Sequence, residues 1–132
     1  MIGNVHEFHE KFGFPRGDTD AMTGDPETEN YRLMFLHEEL DELEDALDDG
    51  DRVKAFDALL DLVYVAYGTA LWMGISPAQW AAGFHAVHSA NMAKVRVAAA
   101  SESKRGNAFD CKKPGGWVGP EARLKEILSW DK

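Results

Sequence analysis

The sequence predicts an all-α protein: a four-helix-bundle-like core, a short N-terminal helix and an irregular C-terminal extension. Three observations lead there. Apolar residues recur at helical spacing in successive stretches, Gly and Pro gather in the breaks between them, and two groups of acidic residues are spaced to share helical faces.

Val5, Phe8 and Phe12 stand at helical spacing within Asn4–Phe12, and Gly13 and Pro15 end that helix. Arg16 to Glu29 holds Gly17, Asp18, Asp20, Thr23, Gly24, Asp25 and Pro26 and reads as a loop long enough to cover a site. The second helix begins at Glu27 or Asn30 and runs to Asp48. Its packing seam is Leu33, Leu36, Leu40, Leu43 and Leu47, in 3-4-3-4 spacing. Asp48-Asp49-Gly50 turns the chain, and Asp51 caps a third helix over Arg52–Met73. The β-branched run in that segment would also suit a strand, but Ala66, Ala70, Leu71 and the acidic pair favour a helix. Its latter half is apolar on nearly every face, as in an element enclosed by several partners, and Gly68 permits close packing.

Gly74 ends the third helix. Ser76-Pro77-Ala78-Gln79 then supplies a cap, a first-turn proline and a capping-box glutamine for a fourth helix reaching about Val95. Residues 96–120 are expected to form an irregular tail or site-covering segment, followed by a short helix from Glu121 to Trp130. Neither a repeat nor a boundary divides the chain, so one domain over residues 1–132 is expected.

Fourteen basic against 23 acidic residues give a net charge of −9, which argues against nucleic acid polymers and anionic membranes as partners. The single cysteine, Cys111, allows no intrachain disulfide and no thiolate metal cluster. Met1 to Glu7 lacks a basic-then-apolar layout, and the apolar region around Leu62 to Met73 is short for a membrane span. Cytoplasmic localisation is therefore expected. His6 and His9 are three apart but lack a further zinc-ligand pattern. The glycines near 115–119 lack Walker spacing, and Ser76, Ser89 and Ser101 lack a nucleophile elbow.

The chemistry is expected from Glu38-Glu39-x-x-Glu42 on the second helix and Asp57-x-x-x-Asp61 on the third. Glu39 lies beside the leucine seam. Asp61 precedes Leu62-Val63-Tyr64-Val65-Ala66-Tyr67, where an unpaired carboxylate would be expensive. The alternatives are solvated charge for Glu38, Glu39 and Glu42, a first-turn dipole role for Asp57, and a salt bridge from Asp61 to Arg32 or a lysine. Several carboxylates inside a helical bundle suit a hard cation, and Mg2+ in particular takes oxygen ligands while binding phosphate oxygens. The expected metal set is Glu38, Glu39, Glu42, Asp57 and Asp61, holding Mg2+ with Mn2+ as a substitute. The expected reaction is attack of water on a phosphate, with Glu38 aligning the water or accepting its proton.

His88, Asn91 and Lys94 follow one another three residues apart on the fourth helix. An amide and an ammonium at this spacing suit a base or sugar and a phosphate; an interhelical hydrogen bond and a frayed helix end are the alternatives. Arg96, Lys104, Lys112 and Lys113 would neutralise phosphate oxygens if the tail folds over the site. Lys113-Pro114-Gly115-Gly116-Trp117-Val118-Gly119-Pro120 reads by itself as a packing clasp anchored by Trp117.

Taken together, EELDE at Glu38–Glu42, DALLDLVYVAYGTALWMGI at Asp57–Ile75, HAVHSANMAK at His85–Lys94 and the tail KKPGGWVGP resemble the MazG-like all-α nucleoside triphosphate pyrophosphohydrolases. The dimeric dUTPase-like and phosphoribosyl-ATP pyrophosphohydrolase-like members are the nearest in pattern. The resemblance implies Glu39, Glu42 and Asp61 as metal ligands, Glu38 as a metal or water-positioning residue, and Asn91 and Lys94 as substrate contacts. Arg32, His88 and Lys113 are expected beside them. The family's second acidic motif is Glu-x-x-Asp; Asp61 matches its aspartate, but Ala58 stands where the glutamate belongs, and Asp57 is the candidate substitute. The resemblance further implies hydrolysis of a nucleoside triphosphate to monophosphate and pyrophosphate, with dUTP or another deoxynucleotide favoured. Phosphoribosyl-ATP hydrolysis and a noncatalytic nucleotide-sensing module are the alternatives. A homodimer or homotetramer is implied, with neighbouring chains completing the pockets.

Overall fold

A computed structural model of the chain describes residues 1–14, 16–17 and 25–130. Pro15 and residues 18–24 of the expected covering loop lie outside them. The elements run α1 (Ile2–Phe12), α2 (Pro26–Asp48), α3 (Arg52–Trp72), α4 (Pro77–Met92), β1 (Val95–Arg96), a 3-10 turn (Ala100–Glu102), β2 (Cys111–Lys112) and α5 (Glu121–Leu128). The protein is predominantly helical, as its apolar periodicity predicts.

Local chemistry sets the helix ends. Gly13 closes α1 in the left-handed conformation at φ 67°, with its N–H donating to the Glu10 and His9 carbonyls. Asp25 caps α2, accepting from the Glu27 and Thr28 amides at 3.2 and 3.4 Å, and Pro26 takes the first helical position. That helix therefore starts earlier than expected: Asp25-Pro26, read as loop from composition, is its initiation signal. Asp51 caps α3 as expected, accepting from the Val53 and Lys54 amides at 3.1 and 3.0 Å. Each such cap contributes about 1 kcal/mol.

Two compact units are present, Met1–Pro77 and Ala78–Lys132. In the first, α1 and α2 pack on α3. The core there is built from Val5, Ala46, Ala55, Ala58, Val65, Tyr67, Ala70 and Leu71. Phe8 of α1 meets Tyr64 of α3 edge-on, with ring centroids 5.7 Å apart. By length and composition α3 would suffice to cross a bilayer, yet it carries Asp57 and Asp61 and packs against α1 and α2.

The second unit holds the rest of α4, a β-hairpin and α5. Here the expected irregular tail is partly ordered: Val95 pairs with Lys112 and Arg96 with Cys111 in antiparallel register, and the Val97 amide donates to the Asp110 carbonyl at 3.1 Å. This pairing explains why α4 stops at Met92 rather than Val95. Buried Gln79 donates its side-chain amide to the Ile127 carbonyl at 3.2 Å, tying α4 to α5.

Two packing expectations need correction. Leu33, Leu40 and Leu47 are 58%, 50% and 65% exposed; the buried residues of α2 are Glu39 and Ala46. The inward face is thus Arg32, Leu36, Glu39, Leu43 and Ala46, which is also helically spaced but chemically mixed. The latter half of α3 does bury Val65, Tyr67, Gly68, Ala70 and Leu71, but Val63 and Tyr64 within it are exposed; nearer the start Ala55 and Ala58 are buried while Val53, Phe56, Leu59 and Leu60 are exposed.

Candidate metal and phosphate site

Glu39 is the buried acid on which the other candidate carboxylates bear. It is 8% exposed, and its Oε2 is buried with no hydrogen-bond partner among the described residues. Burial, followed by the charges of Asp61, Glu42, Glu38 and Asp57, holds its carboxyl above the usual carboxylate range. All four carboxylates predicted to share the site therefore act on this one group from α2 and α3. An unpaired buried carboxylate is costly, and four more negative charges add to that cost rather than offset it.

Asp61 is not the buried acid its apolar sequence neighbours suggested. It is exposed, as are Glu38, Glu42 and Asp57. The flanking apolar residues do not enclose it, because Leu59, Leu60 and Val63 are themselves exposed. Nor does Arg32 pair with it. The Arg32 Nε donates to the Thr69 hydroxyl at 3.1 Å and Nη2 to the Val65 carbonyl at 2.8 Å. Among the described residues no carboxylate forms an ion pair with Arg32, and desolvation lowers its pKa. A Cβ at Gly68 would lie 2.5 Å from Arg32 Nη2 and 3.0 Å from His9 Nε2, so glycine is what lets these groups approach α3. The expected close approach at Gly68 is therefore between side chains and helix.

Ala58, where the family motif has glutamate, is buried at 3% exposure. Its neighbour Asp57 instead lines an acidic cleft of about 320 Å³ with Glu42, Asp45, Asp49 and Lys54. Asp57 and Glu42 thus share one surface. Asp45 and Asp49, both exposed, reach this cleft through the contact of α2 with α3.

The donor set suits a hard divalent cation: oxygen ligands only, one of them fixed, buried and lacking a partner. Among the described residues no three candidate ligands already converge to metal-binding distance. A cation would draw the exposed Glu38, Glu42, Asp57 and Asp61 side chains towards the fixed oxygen of Glu39. Such side chains have the rotamer freedom to move, and neutralising the field at Glu39 supplies the driving force.

The other predicted contacts lie in the second unit. His88 and Asn91 are exposed at the end of α4, and Lys94 is half-buried just beyond it. The Lys94 and Lys113 ammonium groups lie 5.8 and 4.4 Å from the centre of the Trp117 ring. The Trp117 indole N–H donates to the Ala90 carbonyl at 2.8 Å, so the expected aromatic anchor is present. His9 was passed over in the sequence because its spacing to His6 led nowhere; its approach to Arg32 across Gly68 has no local sequence signal.

Two packed helices that bring the charges of four carboxylates to bear on one buried acid occur here in a chain whose motifs place it among the MazG-like all-α pyrophosphohydrolases acting on nucleotides. The chain belongs to the phosphoribosyl-ATP pyrophosphohydrolase family, whose model matches residues 5–91. That span contains every candidate metal ligand and Asn91 but stops before Lys94 and the hairpin. An uncharacterized protein of Acanthamoeba polyphaga mimivirus is 33% identical over 75 residues, covering 54% of this chain and 30% of that protein. The chain thus matches less than a third of the length of that relative.

Proposed function

We propose that the chain hydrolyses the α–β phosphoanhydride bond of a nucleoside triphosphate group and releases pyrophosphate, using Mg2+ (or Mn2+ in its place) held between α2 and α3. The observation that carries this reading is the buried, partnerless oxygen of Glu39 amid the charges of Glu38, Glu42, Asp57 and Asp61. When bound, the divalent ion supplies charge neutralisation at phosphate oxygens and acidifies water. Glu39 serves as the fixed ligand, Glu42 and Asp61 complete the set, and Asp57 takes the place of the glutamate missing at Ala58. Glu38 aligns the attacking water or accepts its proton. Within the first unit, Arg32 offers its remaining N–H groups to the substrate; of the second unit's residues, we assign Lys94 and Lys113 to phosphate and His88 and Asn91 to a base or sugar.

The family match favours phosphoribosyl-ATP, which carries such a triphosphate group, as the first substrate to test. The tail KKPGGWVGP, which lies outside the matched span and resembles dUTPase-like members, favours dUTP or another deoxynucleotide as the second. The deciding experiment compares product formation from phosphoribosyl-ATP, dUTP and dCTP with Mg2+ present. Pyrophosphate release on one of them is expected. Release of orthophosphate would overturn the bond assignment, and Mg2+-dependent nucleotide binding without any product would identify a sensing module.

A further inference from the structure

Six of the fourteen basic residues lie within residues 94–113, against two acidic ones, in a chain whose net charge is −9. Five of the six line a single cleft of about 480 Å³ beside the β1–β2 hairpin, together with both acids and Cys111. The acids are already satisfied. Asp110 accepts from the Ser103 hydroxyl at 2.7 Å and from Arg105 through both oxygens at 3.1 Å, and Glu102 is paired with Lys112. These pairs fix Arg105 and Lys112 in the wall. Lys94, Lys104 and Lys113 remain, and among the described residues none has a carboxylate partner.

Two of these lysines, Lys94 and Lys113, are held at the same anchored Trp117 ring. Cation–π attraction holds both ammonium groups at the ring, and an anion in the cleft that Lys94 and Lys113 also line would add to the attraction each of them feels. Lysine is suited to this role, as a compact charge on a flexible stem that accommodates phosphate oxygens without demanding one planar geometry. Several such charges around one concave space match a ligand carrying several adjacent negative charges. A nucleic acid backbone fits less well, since it would bring an extended polyanion to a strongly acidic chain.

We propose that this cleft, outside the segment matched by the family, is a binding site for a condensed phosphate chain of the pyrophosphate or triphosphate type. It deepens the hydrolase reading, because such a chain is part of that reaction's substrate and product. Its test involves no turnover, so the two readings can fail separately.

The probe is inorganic tripolyphosphate, titrated calorimetrically into the full chain in EDTA, where the metal-free acidic groove repels anions. Saturable binding that weakens steeply with added salt is expected. Lys104→Gln/Lys113→Gln should weaken it about tenfold or more, the scale of losing charge-assisted contacts, while Lys125→Ala on α5 leaves it unchanged. Both lysines are exposed, and circular dichroism confirms that the variants are folded. Absence of binding, or equal binding by the double variant, overturns the proposal.

Discussion

Arg32 and Glu39 lie seven residues apart on the inward face of α2, about 10 Å along its axis, and they do not neutralise each other. The guanidinium is taken up by Val65 and Thr69 of α3, while a Glu39 oxygen remains buried and unpaired. The inner face of α2 therefore presents a half-buried cation at one level and an uncompensated anion two turns later. Ordinary helix packing would favour neither.

Glu39→Gln should raise the thermal stability of the metal-free protein, because it removes a buried charge that four neighbours oppose. The folded-state pKa of Glu39 is raised, so its contribution to stability is present below the unfolded value of about 4.5 and is lost as pH rises through the folded one. The stabilisation by Gln should accordingly be larger at pH 7.5 than at pH 4. Mg2+ should raise the melting temperature of the native sequence at pH 7.5 and leave Glu39→Gln unchanged. Thermal denaturation with and without Mg2+ checks all three outcomes.

Asp61→Asn and Glu42→Gln should each reduce Mg2+-dependent turnover by more than about 100-fold, beyond the 10–100-fold typical of outer-shell metal partners. Both side chains are exposed, so neither change should unfold the protein. Asp57→Asn should fall with them if it replaces the absent glutamate. Glu44→Gln, which bears on neither Glu39 nor the acidic cleft, should stay close to full activity. Steady-state kinetics over a range of Mg2+ concentrations separates lost metal affinity from lost chemistry.

The helices, their order and the acidic segments were legible in the sequence because apolar periodicity and cap residues act locally. Asp51 shows this, capping α3 as its position predicts. Burial was less legible. The leucine seam and the apolar run after Asp61 both suggested enclosure, yet Leu33, Leu40, Leu47 and Asp61 are exposed. Hydrophobic spacing identifies a face but not its neighbour, and α2 offers two helically spaced faces of which the mixed one turns inward. The hairpin was missed for a related reason: two-residue strands carry no alternation to read, and their register is set by partners fifteen or more residues away.

Gly68→Ala should destabilise the fold by about 1–3 kcal/mol, the usual range for overpacking. The added methyl would displace Arg32 Nη2, whose position is fixed by its bond to the Val65 carbonyl, and would crowd His9 Nε2. Denaturant unfolding measures the loss. Lowering Arg32 to a shorter side chain in the same background should recover part of it, because the clash is with the guanidinium end.

Desolvation, then the charges of Arg32 and His6, lowers the pKa of His9 from its usual 6.5. Below about that pH the unfolded chain takes up a proton that the folded chain resists, so stability falls as pH drops from 7 towards 5. His9→Gln should flatten that part of the stability–pH profile without changing the curve above pH 7.5. A chemical-denaturation series across this range provides the check.

Leu33, Leu40 and Leu47 repeat every seven residues along the exposed side of α2, and Phe56, Leu59, Leu60 and Val63 lie exposed on α3. A heptad stripe is the seam by which helices pack against each other at shallow crossing angles. Such exposed apolar residues on one unit would suit an interaction face. The expected occupant is a second copy of the chain, giving a homodimer or homotetramer. Leu40→Glu places a charge at the middle of the stripe without touching the inward face of α2, so it should lower the solution mass and leave the helical content intact. Analytical ultracentrifugation at several concentrations tests this. A native chain that stays monomeric at all of them would remove the interface and, with it, any role for a neighbouring chain in completing the site.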